Sequence, residues 1–147
     1  MGYRQIKFRG KDAFSGQWRY GAYIPTEFTE WREPSIFDGH HRCEVDGETL
    51  GQDTGFKDAD SYAIYEGDIL DFAVFDYEGY DTHHQGVVKF AEGEWQIWRT
   101  VESAFYGNDG AFHLGWVLSQ DDEAKVIGNI YDDPELLEGK KCPTKSI

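Results

Sequence analysis

Ile64-Tyr65-Glu66-Gly67-Asp68-Ile69-Leu70-Asp71-Phe72-Ala73-Val74-Phe75 is the stretch that decides the fold. From Ile69 to Phe75 a period of two puts Ile69, Asp71, Ala73 and Phe75 on one face and Leu70, Phe72 and Val74 on the other. Both faces are largely apolar, so the segment reads as an interior strand covered on both sides. Glu66-Gly67-Asp68, just before it, reads as a tight turn. There Gly67 supplies a positive φ without steric cost, and the Asp68 carboxylate accepts backbone N–H groups as the strand begins.

Downstream, Asp76 to His83 is a polar hairpin loop and Gln85 to Phe90 its return strand. Glu92-Gly93 makes the next turn and Trp95 to Thr100 the next strand, which gives a meander. After a loop around Gly107 to Gly110, Phe112 to Leu118 and Lys125 to Tyr131 read as two further strands. Asp133-Pro134-Glu135-Leu136-Leu137 carries helix-start chemistry, with Asp at the cap and Pro at the first helical position. Gly139 limits that helix to one or two turns. Upstream, Tyr3 to Arg9 and Trp18 to Ile24 flank a turn at Lys11 to Gly16 and read as a hairpin. Thr26 to Gly47 reads as irregular, broken by Pro34, Asp38-Gly39 and Asp46-Gly47. A short strand is expected around Thr49 to Gln52, then a turn-rich connection from Asp53 to Ser61.

The 147 residues suit a single domain: a hairpin extension over about 3–25, an irregular segment over about 26–47, a core over about 48–138 and a frayed tail over 139–147. Aromatics are 16% of the chain, with five Trp, nine Tyr and ten Phe, and Met1 is the one methionine. That composition favours pleated, half-buried surfaces over long helices, so the class is mostly β. Several short strands separated by polar turns point to a small barrel, which removes the edges an aromatic-rich sheet would otherwise expose.

The net charge of −14 repels phosphate backbones at long range. Arg4, Lys7, Arg9, Lys11 and Arg19 cluster at the start of the chain. Between Glu44 and Asp81, by contrast, twelve Asp or Glu face Lys57 alone. That run reads as a solvated face or as a surface that meets a basic partner. Cys43 and Cys142 are lone thiols without metal spacing. With no apolar signal core and no run near the ~20 residues needed to span a bilayer, a cytoplasmic protein with no membrane contact is expected.

Three blocks resemble the YopX family of phage and prophage proteins. The first joins Ile6-Lys7-Phe8-Arg9-Gly10 to Trp18-Arg19-Tyr20-Gly21. The second joins Gly51-Gln52-Asp53-Thr54-Gly55-Phe56-Lys57-Asp58 to Ile64-Tyr65-Glu66-Gly67-Asp68-Ile69. The third joins Val126-Ile127-Gly128-Asn129-Ile130-Tyr131 to Asp133-Pro134-Glu135-Leu136-Leu137. They stand in the family's order and span nearly the whole chain. The resemblance implies phage or prophage origin, host-cell cytoplasm, and an SH3-like β-barrel with an N-terminal hairpin extension and a short C-terminal helix. It also singles out Gly55, Tyr65, Glu66, Gly67, Asp68, Gly128, Asn129, Tyr131 and Pro134 as motif residues without an assigned role. Two departures stand out: Ala59-Asp60-Ser61-Tyr62 replaces the family's frequent Asn-Gly turn, and Thr26 to Arg42 matches no family block.

No catalytic set emerges. Glu66 and Asp68 form a carboxylate pair, but a turn role explains both. The pairs His40-His41 and His83-His84 lack the three or four ligands of a zinc site and read as surface loop residues. His113, on an apolar stretch, reads as a satisfied core histidine. Asp53, Asp58 and Asp60 lack calcium-loop spacing. Cys43 has His40 and His41 nearby but no group to orient a base. No metal, cofactor or catalytic residue is therefore assigned. Trp18, Trp95, Trp98 and Trp116 read as packing, whereas Trp31 in the irregular acidic segment reads as an exposed contact. The reading favoured is a non-enzymatic protein-binding or assembly module whose partner is another protein or a second copy. An acidic decoy that blocks a host DNA-binding protein and a nucleic-acid-binding SH3-like barrel are the alternatives, with the charge weighing against nucleic acid.

Overall fold

The computed structural model describes residues 5–75, 81–104 and 110–140. Among the described residues strand predominates and helix is confined to a few short segments. The chain divides into two compact units, one up to Gly55 and one from Phe56 onward.

The first unit is a twisted sheet ordered β4-β3-β2-β1-β5. β1 (Phe8–Lys11) and β2 (Trp18–Ile24) form the expected hairpin, paired from Phe8↔Gly21 to Lys11↔Trp18. Its turn is held by Asp12, whose Oδ1 accepts the N–H groups of Phe14 and Ser15 at 2.8 and 3.1 Å. The Asp12 Oδ2 meets Arg19 Nε at 3.0 Å. Residues 26–47 are more ordered than the sequence suggests. β3 (Ser35–Phe37) and β4 (Arg42–Glu44) form a second hairpin that continues the sheet from β2. The breaker Asp38-Gly39 makes its turn: Asp38 Oδ1 accepts the His40 and His41 N–H groups at 2.8 and 2.7 Å. Ile36 and Val45 are fully buried. The strand expected near Thr49 begins two residues later, after a 3-10 turn, as β5 (Gly51–Lys57), and it replaces much of the expected turn-rich connection.

In the second unit, β6 (Ala63–Tyr65) leads through the Glu66-Gly67 turn into β7 (Asp68–Phe75), β8 (Asp81–Ala91) and β9 (Glu94–Trp98). This is the expected meander, with β7 paired to β8 as far as Phe75↔Asp81 and β8 to β9 as far as Ala91↔Glu94. β8 is longer than expected, so His83 and His84 stand on a strand rather than in a loop. The rest of that loop, 76–80, lies outside the described residues, as do the tail residues 141–147 with Cys142. β10 (Phe112–His113) adds to β9 and β11 (Lys125–Asn129) adds to β7, giving the order β10-β9-β8-β7-β11. β7 is thus interior, as its two apolar faces require. Leu70 and Phe72 pack with Val88, Ile97, Leu114 and Val117 on one side, and Ile69 packs with Val87 and Leu137 on the other.

Two expectations need correction. Phe112 to Leu118 is not a strand: it becomes helical as α1 (Leu114–Gln120) after two strand residues. Leu114, Val117 and Leu118 fall at helical spacing, and all three turn onto the core formed by Phe72, Val88 and Ile97. In place of the closed barrel, one sheet is a half-barrel with one helix. The C-terminal helix is a 3-10 helix, Pro134–Lys140. No helix among the described residues is long and apolar enough to cross a membrane.

Candidate binding surfaces

Among the family-motif residues of the second unit, the Asp68 and Asn129 side chains hold backbone. Asp68, almost fully buried, accepts the Tyr65 N–H on Oδ2 at 2.7 Å and closes the turn. Gly67 has φ of 93°, donates its N–H to the Val88 carbonyl at 2.9 Å and accepts from Ile130 N–H at 3.0 Å. Glu66 is half-buried in the same turn. Asn129 Oδ1 accepts the N–H groups of Tyr131 and Asp132, both at 2.9 Å, and Asp133 Oδ2 accepts the Asn129 N–H at 3.2 Å. A Cβ on Gly128 would lie 2.5 Å from that Asp133 oxygen and 2.9 Å from Leu136 Cδ1. Pro134 opens the 3-10 helix. In the first unit, Gly55 donates its N–H to Asp53 Oδ1 at 2.9 Å, with φ of 86°.

Trp31 is 38% exposed, and the Arg42 guanidinium lies 3.5 Å over its ring centroid. Arg42 also donates to Ser35 Oγ at 2.8 Å, so this indole stands on a fixed cation in the first unit. Cys43 is half-buried on the same hairpin. His40 and His41 are exposed at its turn.

The second unit presents an aromatic stack that sequence reasoning missed. Phe72, in the core, meets Phe112 edge-on at 5.5 Å, and Phe112 stacks parallel to Trp116 at 6.3 Å. His84 fills the flank, 5.5 Å from Phe72 and 5.2 Å from Phe112. Trp116 is 43% exposed on α1, contrary to its reading as packing. Phe56, also exposed, lies over Gly115, where a Cβ would be 3.3 Å from its ring. His113 is not a core histidine either. It points to solvent, with Nδ1 2.9 Å from Glu94 Oε2, because the strand alternation that turns Phe112 onto the core turns its neighbour outward. That histidine and the Gln96 side chain hold the Glu94 carboxyl below its ordinary range, Gln96 contributing more.

A cleft of about 770 Å³ opens beside β7, and Phe72 of the aromatic stack is among its lining residues. Asp71, Ala73 and Phe75 of β7, Asp81 and His83 of β8, Asp60 and the segment from Gln120 to Glu123 line it. Two carboxylates build the walls. Asp121 Oδ2 accepts the Ala73 N–H at 2.8 Å, and Asp58 accepts the N–H groups of Asp60, Tyr62 and Val126, each at 2.9 Å.

The family model described as YopX protein matches residues 7–138. The chain belongs to the YopX family. The crystal structure of protein EF1440 from Enterococcus faecalis is similar to this YopX-family chain, with TM-score 0.53 and 20% identity over 91% of this chain and 99% of that one. That likeness concerns the fold alone. No curated protein matches the chain.

Proposed function

We propose that this YopX-family chain is a phage- or prophage-encoded, non-enzymatic protein-binding module on an SH3-like half-barrel, and that its partner at the aromatic surface is a second copy. The observation that carries this reading is Trp116. Its ring is exposed yet backed by Phe112, which is itself locked onto Phe72 and His84. A large aromatic held rigid at the surface loses little freedom on docking, and such residues dominate protein–protein contacts. Light scattering over a concentration series tests it. Association should rise with concentration in the native chain and fall in Trp116→Ser at unchanged thermal midpoint. A chain that stays monomeric at every concentration would sink the reading.

The acidic-decoy reading draws on a separate observation. From Phe56 onward nineteen Asp and Glu stand against seven Lys and Arg, so this unit carries −12 of the total −14. A field of that sign steers basic proteins toward the unit.

A further inference from the structure

We infer that the cleft over β7 and β8 docks an extended, lysine- and arginine-bearing segment of a partner protein. This site shares Phe72 with the stack behind Trp116 but does not include Trp116 itself, and it rests on the same reading of the chain as a protein-binding module. Three independent features meet there. The first is an open strand edge. β11 begins at Lys125, opposite Asp71, so among the described residues Ala73 to Phe75 have a strand neighbour on the β8 side alone. The Ala73 N–H on the open side is met by a side chain, Asp121, rather than by a strand. Beyond that bond, Val74 and Phe75 leave a short edge without a strand among the described residues, and such an edge accepts an extended peptide through main-chain pairing. The second is Phe75, 53% exposed at that edge, whose ring can take a guanidinium on its face.

The third is charge without an internal counterpart. Asp60, Asp71, Asp81, Asp122 and Glu123 line the cleft. Among the described residues their carboxylates make no hydrogen bond or ion pair, and Lys125 is the one lysine or arginine in the lining. No group of three or more of the described acids and histidines is placed to hold a metal ion. The negative charge is therefore spread along the cleft, which suits several separate cations on one extended chain better than a single ion. Concave acidic walls concentrate that field where the segment would lie.

Fluorescence anisotropy of the full chain with a short labelled peptide alternating arginine and serine tests this. The glutamate–serine peptide is the control. The arginine peptide should bind, and the triple change Asp60→Asn, Asp122→Asn, Glu123→Gln should weaken it about tenfold. Glu48→Gln, Glu92→Gln and Glu102→Gln together, which remove the same charge elsewhere, should leave it unchanged. Phe75→Ala should also weaken binding. No binding of the arginine peptide, equal loss from the remote triple change, or full competition by spermine at matched charge would overturn the inference. Light scattering on the cleft triple variant separates the two readings, because self-association through Trp116 should persist there.

Discussion

Gly67 and Gly128 show two ways in which a residue without a side chain is required. Gly67 sits at φ of 93°, in the half of conformational space that a Cβ penalises. Gly67→Ala should lower stability by about 1–2 kcal/mol, read as a drop in the urea midpoint. Ordinary β geometry there would instead have made the same change mildly stabilising. Gly128 is demanded by crowding, since a Cβ would meet both Asp133 and Leu136. Gly128→Ala should cost about 1–3 kcal/mol by forcing those neighbours aside, with the same readout. The first requirement was legible in the sequence because Glu66-Gly67-Asp68 announces a turn locally. The second was not, because Leu136 reaches Gly128 through the fold of the 3-10 helix rather than through a motif.

At the scale of elements, the β1–β2 turn can be isolated by pH. The N–H groups of Phe14 and Ser15, and then the Arg19 guanidinium, hold the Asp12 carboxyl below its ordinary value. A carboxyl depressed in the folded state adds stability that is present above its unfolded value and is lost as pH falls through the folded one. Asp12→Asn keeps an acceptor but not the charge. Its urea midpoint should lie below the native one at pH 7, and the gap should close as the pH drops below about 4. A gap that stays constant with pH would show that the charge does not matter. The hairpins were legible wherever an alternating strand met a strong turn, as in β1–β2 and β7–β8–β9. α1 was missed because Phe112, Trp116 and Val117 are strand-favouring types, while the Leu114–Val117–Leu118 spacing that marks the helix spans little more than one turn. β3 and β4 were missed because three-residue strands carry too little alternation to stand out from their turns.

Over the whole molecule the charge is divided, with −2 up to Gly55 and −12 from Phe56 onward. Duplex DNA should therefore bind no more tightly than the ~10⁻⁴–10⁻⁶ M of ordinary non-specific binders at physiological salt. Nanomolar, sequence-dependent binding in an anisotropy titration would reverse that and favour the nucleic-acid reading. Of the basic cluster, Arg9 is buried and lies 4.6 Å over the Trp18 ring, while Arg19 is spent on Asp12. Fewer cations are thus free for phosphates than the count suggests. The cleft was only partly legible. Asp60, Asp71 and Asp81 belong to the acidic run seen in the sequence, but Asp122 and Glu123 join them from a distant loop, and no spacing rule links the two stretches.

The Asp58 carboxylate, which ties its own loop to Val126 across 68 residues, sets a schedule for the newborn chain. At the usual pace of synthesis, about 5–20 residues each second, that partner is made some 3–14 s after Asp58. Once β8 is complete at Ala91, β7 and β8 wait for α1 until Gln120 is added and for β11 until Lys125 and its successors are added. Until then the growing chain carries apolar surface and an unpaired strand edge that its finished fold covers, the two features that make a partly made chain prone to stick.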